Sequence, residues 1–388
     1  MKKCCLGFTL LFVLGFVQAA CNLPTLVEQH PTTPQPPGPT SEPLPTSTTA
    51  PEITPLPTEK VTATPLAVTW NKIGMPPGAQ KTYGILVHPE DENLWLVLGY
   101  PNSDYSVCAI YRTTNAGQSW ETVLTGGQVR GIALDPENSN TLYSTNEGKL
   151  IRSDDRGQTW STVNDFGDMI ESFHLSPIDG AIFVLPRWYS SSDPGVYRSM
   201  DGGQHWERFS FGGTLPNFIP WDIEEDPNNG LLYVVIEIGD HPQPYDPPFY
   251  RSRDRGESWE DVGADLPWHG ISIQVDPRTS DVYFLSEGSG LYKSIDQGSH
   301  WARIDSGTRF TCKLFLDPAN PPRLFGGDYF YEPRFDGGVY YSDDGGESFV
   351  FLGLEGQTTC ELTLNSSSTM LYVVSFQQGI YTAVIPAP

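Results

Sequence analysis

The chain is poor in cysteine, in methionine and in cations. Six cysteines and five methionines occur in 388 residues, and 23 Lys and Arg face 47 Asp and Glu, for a formal net charge of -24. So acidic a surface repels a phosphate backbone, which excludes nucleic acid as a partner. Sparse cysteine excludes a disulfide-built scaffold and leaves stability to an apolar core. Of the seven histidines no pair has metal-ligand spacing, and neither a metal nor another cofactor is expected. No long amphipathic helical pattern occurs, and beyond residue 17 no run is long and apolar enough to cross a bilayer.

Glycine, proline and aromatic residues are abundant instead: 38 Gly, 35 Pro and 12% aromatic against only 18% charged, a composition that suits all-β architecture. The first twenty residues stand apart. Met1-Lys2-Lys3 followed by an apolar run to Val17 reads as a signal peptide over 1–20. It ends at Gln18-Ala19-Ala20-Cys21, which resembles the lipobox of bacterial lipoproteins, and this resemblance makes Cys21 the expected lipidation site and the one expected membrane contact. Residues 21–65 are rich in Pro and Thr, with stretches such as Pro34-Gln35-Pro36-Pro37-Gly38-Pro39, and cannot bury a core. They are expected to form a disordered stalk, reaching ~130 Å if fully extended.

Residues 66–388 carry an eight-residue unit, clearest at Ser153-Asp154-Asp155-Arg156-Gly157-Gln158-Thr159-Trp160. It recurs at 199–206, 252–259 and 294–301, and in weaker form at 113–120 and 342–349. Its acid positions Asn115, Asp155, Asp201, Asp254, Asp296 and Asp344 lie roughly 40 to 53 residues apart, the spacing of propeller blades. The unit reads as a hairpin turn: the acid accepts turn amides, glycine takes positive φ, and the closing aromatic is buried between sheets. No copy carries the ligands of a calcium loop.

Aliphatic-aromatic pairs on the expected second strands, from Leu94-Trp95 to Leu371-Tyr372, number seven rather than six. The seventh repeat stops at Ile380-Tyr381-Thr382, whereas Thr69-Trp70-Asn71-Lys72-Ile73-Gly74 looks like a fourth strand with no third before it. The expected fold is therefore a single seven-bladed all-β propeller whose N-terminal strand closes the last blade.

The Ser-x-Asp-x-Gly-x-Thr-Trp unit resembles the Asp-box, or BNR, repeat of sialidases, xyloglucanases, sortilin-type receptor domains and photosystem II assembly propellers. The resemblance implies box turns on the face away from the ligand. The assembly propellers match best in blade number and export. The sialidase pattern of six blades and an Arg-Ile-Pro motif is missing.

The ligand face is expected where inner strands begin, near Tyr83, Arg130, Glu171, Trp221, Ile271, Cys312 and Cys360. Long loops there carry Tyr100 and Tyr105, Arg187-Trp188-Tyr189, Asp240 and Tyr245, and Asp328-Tyr329-Phe330-Tyr331. Tyr83, Arg130, Trp188, Tyr189, Trp221, Tyr245, Tyr329 and Tyr331 are the candidate ligand contacts, because rings stack on sugar faces or anchor peptide side chains. Glu171, Asp222, Glu224 and Asp240 are the candidate catalytic carboxyls. Cys312 and Cys360 occupy equivalent positions in adjacent blades and are expected to pair, leaving Cys108 free. The function expected from this reading is a monomeric binding or assembly module for a protein or glycan at the cell envelope. Its competitor is a glycoside hydrolase, sialidase-like or another exo-glycosidase.

Overall fold

In the computed structural model each repeat becomes a sheet of four antiparallel strands, and seven such sheets form a β-propeller. Residues 68–385 are described except 104, 188–194, 212–217, 239–248, 268–269, 287–288, 305–311, 321 and 332–334. No helix occurs among the described residues. Blades 1 to 6 span residues 81–125, 132–165, 170–210, 218–261, 270–303 and 313–353, and blade 7 spans 359–384 with 70–74 as its outer strand. Side chains in the second strands are almost wholly buried, as Leu94 to Leu98 and Val282 to Leu285 show, because both faces of each blade are covered by its neighbours.

The first strand, Trp70–Gly74, pairs with Gly379–Val384, with Trp70 opposite Ala383 and Lys72 opposite Tyr381. An uncovered strand edge exposes a row of peptide groups, and this pairing removes it. Trp70 adds a second tie, since its indole N–H donates to the carbonyl of Leu352 in blade 6 at 3.1 Å. The closing aromatic of each box does likewise, packing on the outer strand of the preceding blade: Trp206 on Val163 and Phe166, Trp259 on Phe211, Trp301 on Val262. Trp120 joins Ile73 of the closing strand in the same way.

The box turns are fastened by their own side chains. In blade 2 the Ser153 hydroxyl donates to Asp155 at 2.7 Å and accepts the Gly157 amide at 2.8 Å, while Asp155 accepts the Thr159 amide at 2.8 Å and its hydroxyl at 2.6 Å. Burial opposes ionisation of Asp155, but these donors win and hold it at about 2. Asn115 serves the same turn in blade 1, accepting the Ser119 amide at 2.8 Å. One expectation is corrected here: positive φ falls on two consecutive residues and not on the glycine alone. Ala116, Arg156, Arg255 and Gln297 precede their glycines at φ of 53 to 63°. A turn of the mirror-image kind needs both central residues left-handed, and the side-chain fastening holds a non-glycine residue there against its steric cost of about 1–2 kcal/mol. That conformation presents a carbonyl to the preceding blade. Arg112 donates to Arg156 O at 3.0 Å, Arg198 to Arg255 O at 2.9 Å, and Arg251 to Gln297 O.

Trp70→Ala is expected to remove both the indole tie and the packing on blade 6, lowering stability by ~3 kcal/mol. A calorimetric melt of this variant, or of a chain lacking residues 69–74, that matches the wild type would exclude closure by this strand.

Candidate functional site

The start of each inner strand lies beside the end of the second strand, with Lys81 opposite Tyr100 and Ile170 opposite Pro186. The long second-to-third connections therefore share one face, and the box turns lie on the other. Five inner strands break register near their start, at Thr82/Gly84, Ile170/Ser172, Pro220/Asp222, Gly270/Ser272 and Thr359/Glu361. The extra residue at each bulge is Tyr83, Glu171, Trp221, Ile271 and Cys360. A bulge re-aims its side chain, so the fold sets these five positions apart at the mouth.

Tyr83 donates from its hydroxyl to Val129 O at 2.9 Å, and its ring meets Tyr100 at 4.8 Å between centroids. Tyr100 continues to Tyr105 at 5.1 Å, and Tyr105 to Phe376 at 5.9 Å, which carries the Lys81 ammonium at 5.1 Å. Burial pushes the Tyr83 and Tyr100 phenols up, and nearby Arg130 opposes that rise. Trp221 is half-buried against the core between blades 4 and 5. Glu171, only 4% exposed, forms ion pairs with Arg130 at 3.3 Å and with Arg187. Trp188, Tyr189, Asp240 and Tyr245 lie outside the described residues, as do Cys21 and the stalk. Tyr329 and Tyr331 lie on the strand Leu324–Tyr331, but their side chains are outside the described set. The expected loop of blade 6 is instead an extension of the hairpin, with Phe330 opposite Asp336 and Tyr331 opposite Phe335. Cys312 is disulfide-bonded and Cys108 is a free, buried thiol; the Cys360 side chain is not among those described.

Below the mouth the channel wall carries charge. Asp222 and Glu224 alternate with buried Ile223 on one inner strand, so both carboxyls face the same side. Asp222 accepts the Ile273 amide at 3.1 Å, and Glu224 accepts from Gln274 at 3.1 Å. Gln274 in turn accepts the Leu316 amide at 3.1 Å, so one chain of hydrogen bonds joins blades 4, 5 and 6. Lys313 of blade 6 interacts with both acids and with Glu361 of blade 7, which also faces Asp222. Burial raises Asp222, with Lys313 opposing, and burial together with the Asp222 charge pushes Glu224 up to about 8. His174 of blade 3 sits at the edge of this cluster, bonded to Glu225 at 3.0 Å. Lys313 and Glu361 were absent from the sequence-based candidates, because an isolated charge within a strand has no motif around it.

A family model described as sortilin, neurotensin receptor 3, matches residues 248–382. The chain is 28% identical over 273 residues to xyloglucanase Xgh74A of Acetivibrio thermocellus, covering 57% of this chain and 32% of that protein. It is 28% identical over 200 residues to a probable oligoxyloglucan-reducing end-specific xyloglucanase of Neosartorya fischeri, covering 48% and 24%. It therefore spans a third or less of the length of these curated relatives. Among solved structures, the GH74 xyloglucanase of Xanthomonas campestris superposes with a TM-score of 0.60 at 19% identity, over 83% of this chain and 55% of that one. YCF48 of Cyanidioschyzon merolae gives 0.58 at 13% identity, over 82% and 98%. The likeness fixes the seven-bladed fold. The sequence relatives are named as xyloglucanases.

The raised Glu224 carboxyl makes a prediction about stability. Its folded value, about 8, lies above its ordinary value of 4.5, so the folded state holds the extra proton and stability falls as pH rises between the two. Glu224→Gln is expected to melt like the wild type near pH 4 and a few degrees higher above pH ~8. A difference that is constant across that window would contradict the buried protonated carboxyl.

Proposed function

We propose that the protein is a glycan-directed propeller of the glycoside hydrolase kind that receives a sugar chain at its mouth. One observation carries the reading: Asp222 and Glu224 stand at alternate positions of a single inner strand with both carboxyls on one side, where burial and the Asp222 charge favour the protonated form of Glu224. Alternate strand residues stand ~6.6 Å apart along the backbone, and a glycosidase needs one carboxyl to protonate a leaving oxygen while a second activates water. In this reading Glu224 supplies the proton and Asp222 is the base, with Lys313 favouring the charged form of Asp222. The half-buried Tyr83, Tyr105, Trp221 and Phe376 rings offer faces on which pyranose rings stack. The relatives named as xyloglucanases support a β-glucan type of substrate.

A second reading, a peptide-binding propeller, is favoured by layout. YCF48 bound to D1 peptide is matched over its entire length, whereas the enzymes extend well beyond the matched region. Under either reading the lysine-led apolar start and Cys21 support export and a lipid anchor at the cell envelope. Intact mass of the mature protein is expected to show a diacylglyceryl group on Cys21; an unmodified residue there would remove the anchor.

Product release from a panel of plant polysaccharides that includes xyloglucan tests the enzyme reading. Turnover is expected to fall along a basic limb near pH 8 and to drop by roughly 10²–10⁴ in Glu224→Gln. Sugar binding without turnover would retain the mouth and discard the hydrolase. Binding of peptides alone would replace this reading with the second.

A further inference from the structure

We infer that Lys313 and Glu361 form a recognition pair for two adjacent sugar hydroxyls, facing Asp222 and Glu224 across the channel, and that the ring they hold is a neutral sugar with both hydroxyls free, an assignment that rests on the glycan function proposed above. Asp222, Lys313 and Glu361 come from the inner strands of blades 4, 6 and 7. They nevertheless stand at one level. Each lies four residues before the residue that fastens the turn after its strand, namely Asp226, Asp317 and Asn365, whose carbonyls accept the amides of Asn229, Asn320 and Ser368. Blade 7 is three blades from blade 4 around a ring of seven, so Glu361 and Asp222 face one another over the lumen. In blades 1 and 2 the equivalent positions are Gly84 and Gly131, which bring no side chain to this level.

Asp222, Glu224, Lys313 and Glu361 are all half-buried, and burial nonetheless opposes the charge on each of them. Partial exposure together with desolvation marks the wall of a channel rather than an outer surface. The two acids of blade 4 are anchored by the Ile273 amide and by Gln274. Lys313 and Glu361 are not. Among the described residues neither the ammonium nor the Glu361 carboxylate has a hydrogen-bond partner, and both polar ends open onto the lumen, although each feels the charge of the other. Ser272 holds the same level in blade 5, four residues before Asp276 and on the side of its strand that carries Gln274. It lies behind the wall, wholly buried, with a hydroxyl that has no partner among the described residues. Such an orphaned group lowers stability, and local costs of this kind collect at functional sites.

An ammonium offers donors only and a carboxylate offers acceptors only, so the pair suits neighbouring hydroxyls: one oxygen accepts from Lys313 while the next O–H donates to Glu361. A sugar carboxylate would meet three acids and a single lysine at this wall, which selects against it. In a β-1,4-linked glucan O1 and O4 are taken up by the links, and O2 and O3 remain as the adjacent free pair. Holding O2 at the Lys313–Glu361 wall brings the neighbouring glycosidic oxygen toward Asp222 and Glu224.

The test is calorimetric titration of the full chain with a sulfur-linked cellotetraose, which resists hydrolysis, with its 2,3-dideoxy counterpart, and with an acidic peptide. The first sugar is expected to bind on the order of 10-fold more tightly than the second. Glu361→Gln and Lys313→Met are each expected to lower affinity for the hydroxylated chain by about that factor while leaving the dideoxy chain unchanged, so that the two sugars become alike. A purely structural contact between the two residues would weaken both sugars together or neither. Glu361→Gln keeps the side-chain shape and decides the matter if Lys313→Met does not fold. Equal binding of the two sugars by the wild type, or a preference for the hydroxylated chain that persists in Glu361→Gln, would overturn the recognition pair and leave the glycan reading standing. Failure of both sugars to bind, with or without capture of the peptide, would overturn the two together.

Discussion

Each blade of this protein is held to the one before it by an aromatic side chain that, in blades 1 to 6, ends a box turn. Trp120, Trp206, Trp259, Trp301 and the box-less Trp70 all lie on the outer strand of the preceding sheet. A four-stranded sheet buries little by itself, and the contact between neighbours is what makes seven of them one domain. The arginine-to-carbonyl bonds between blades follow the same direction around the ring. Both depend on the turn that the box side chains fasten.

Polar groups on the box face are consumed by this fastening. Asp201 and Asp296 are tied to His205 and His300 as well as to their own turn amides, and Arg255 is tied to Glu225 and Asp179. The mouth is built differently. Its bulges recur in five blades, but the side chains they carry differ, and the contacts of Glu171, Asp222 and Glu224 with neighbouring blades do not repeat around the ring.

That division decides what the sequence could reveal. The boxes, the seven aliphatic-aromatic pairs and the orphan strand at Trp70 repeat, and repetition made blade number and ring closure readable. His88 stands where four other blades place Asp before the turn proline. It fills that role through Nδ1, which accepts the Glu90 amide at 3.2 Å, while Nε2 meets Ser139 O at 2.8 Å. Asp222 and Glu224 could be noticed as acids near the mouth, but their raised protonation depends on burial, and for Glu224 also on the Asp222 charge, against the opposing Lys313 of another blade. The sharing of Glu171 by Arg130 and Arg187 joins residues with no common spacing, and only the ring brings them together. The second left-handed residue of each box was hidden because Ala116, Arg156, Arg255 and Gln297 are not residues that announce such a conformation.

The pairing of Trp70–Gly74 with Gly379–Val384 also sets an order of events for the nascent chain. The Trp70 indole finds its carbonyl partner 282 positions later, so the first strand waits through synthesis of nearly the whole domain. Until then the opening blade lacks a neighbour, and its apolar flank and peptide edge remain open to other chains. Contacts so distant in sequence form slowly because a very long loop must close first. Maturation of this protein is therefore governed by its last few strands, and a ribosome that stops short of residue 379 releases a chain primed to aggregate.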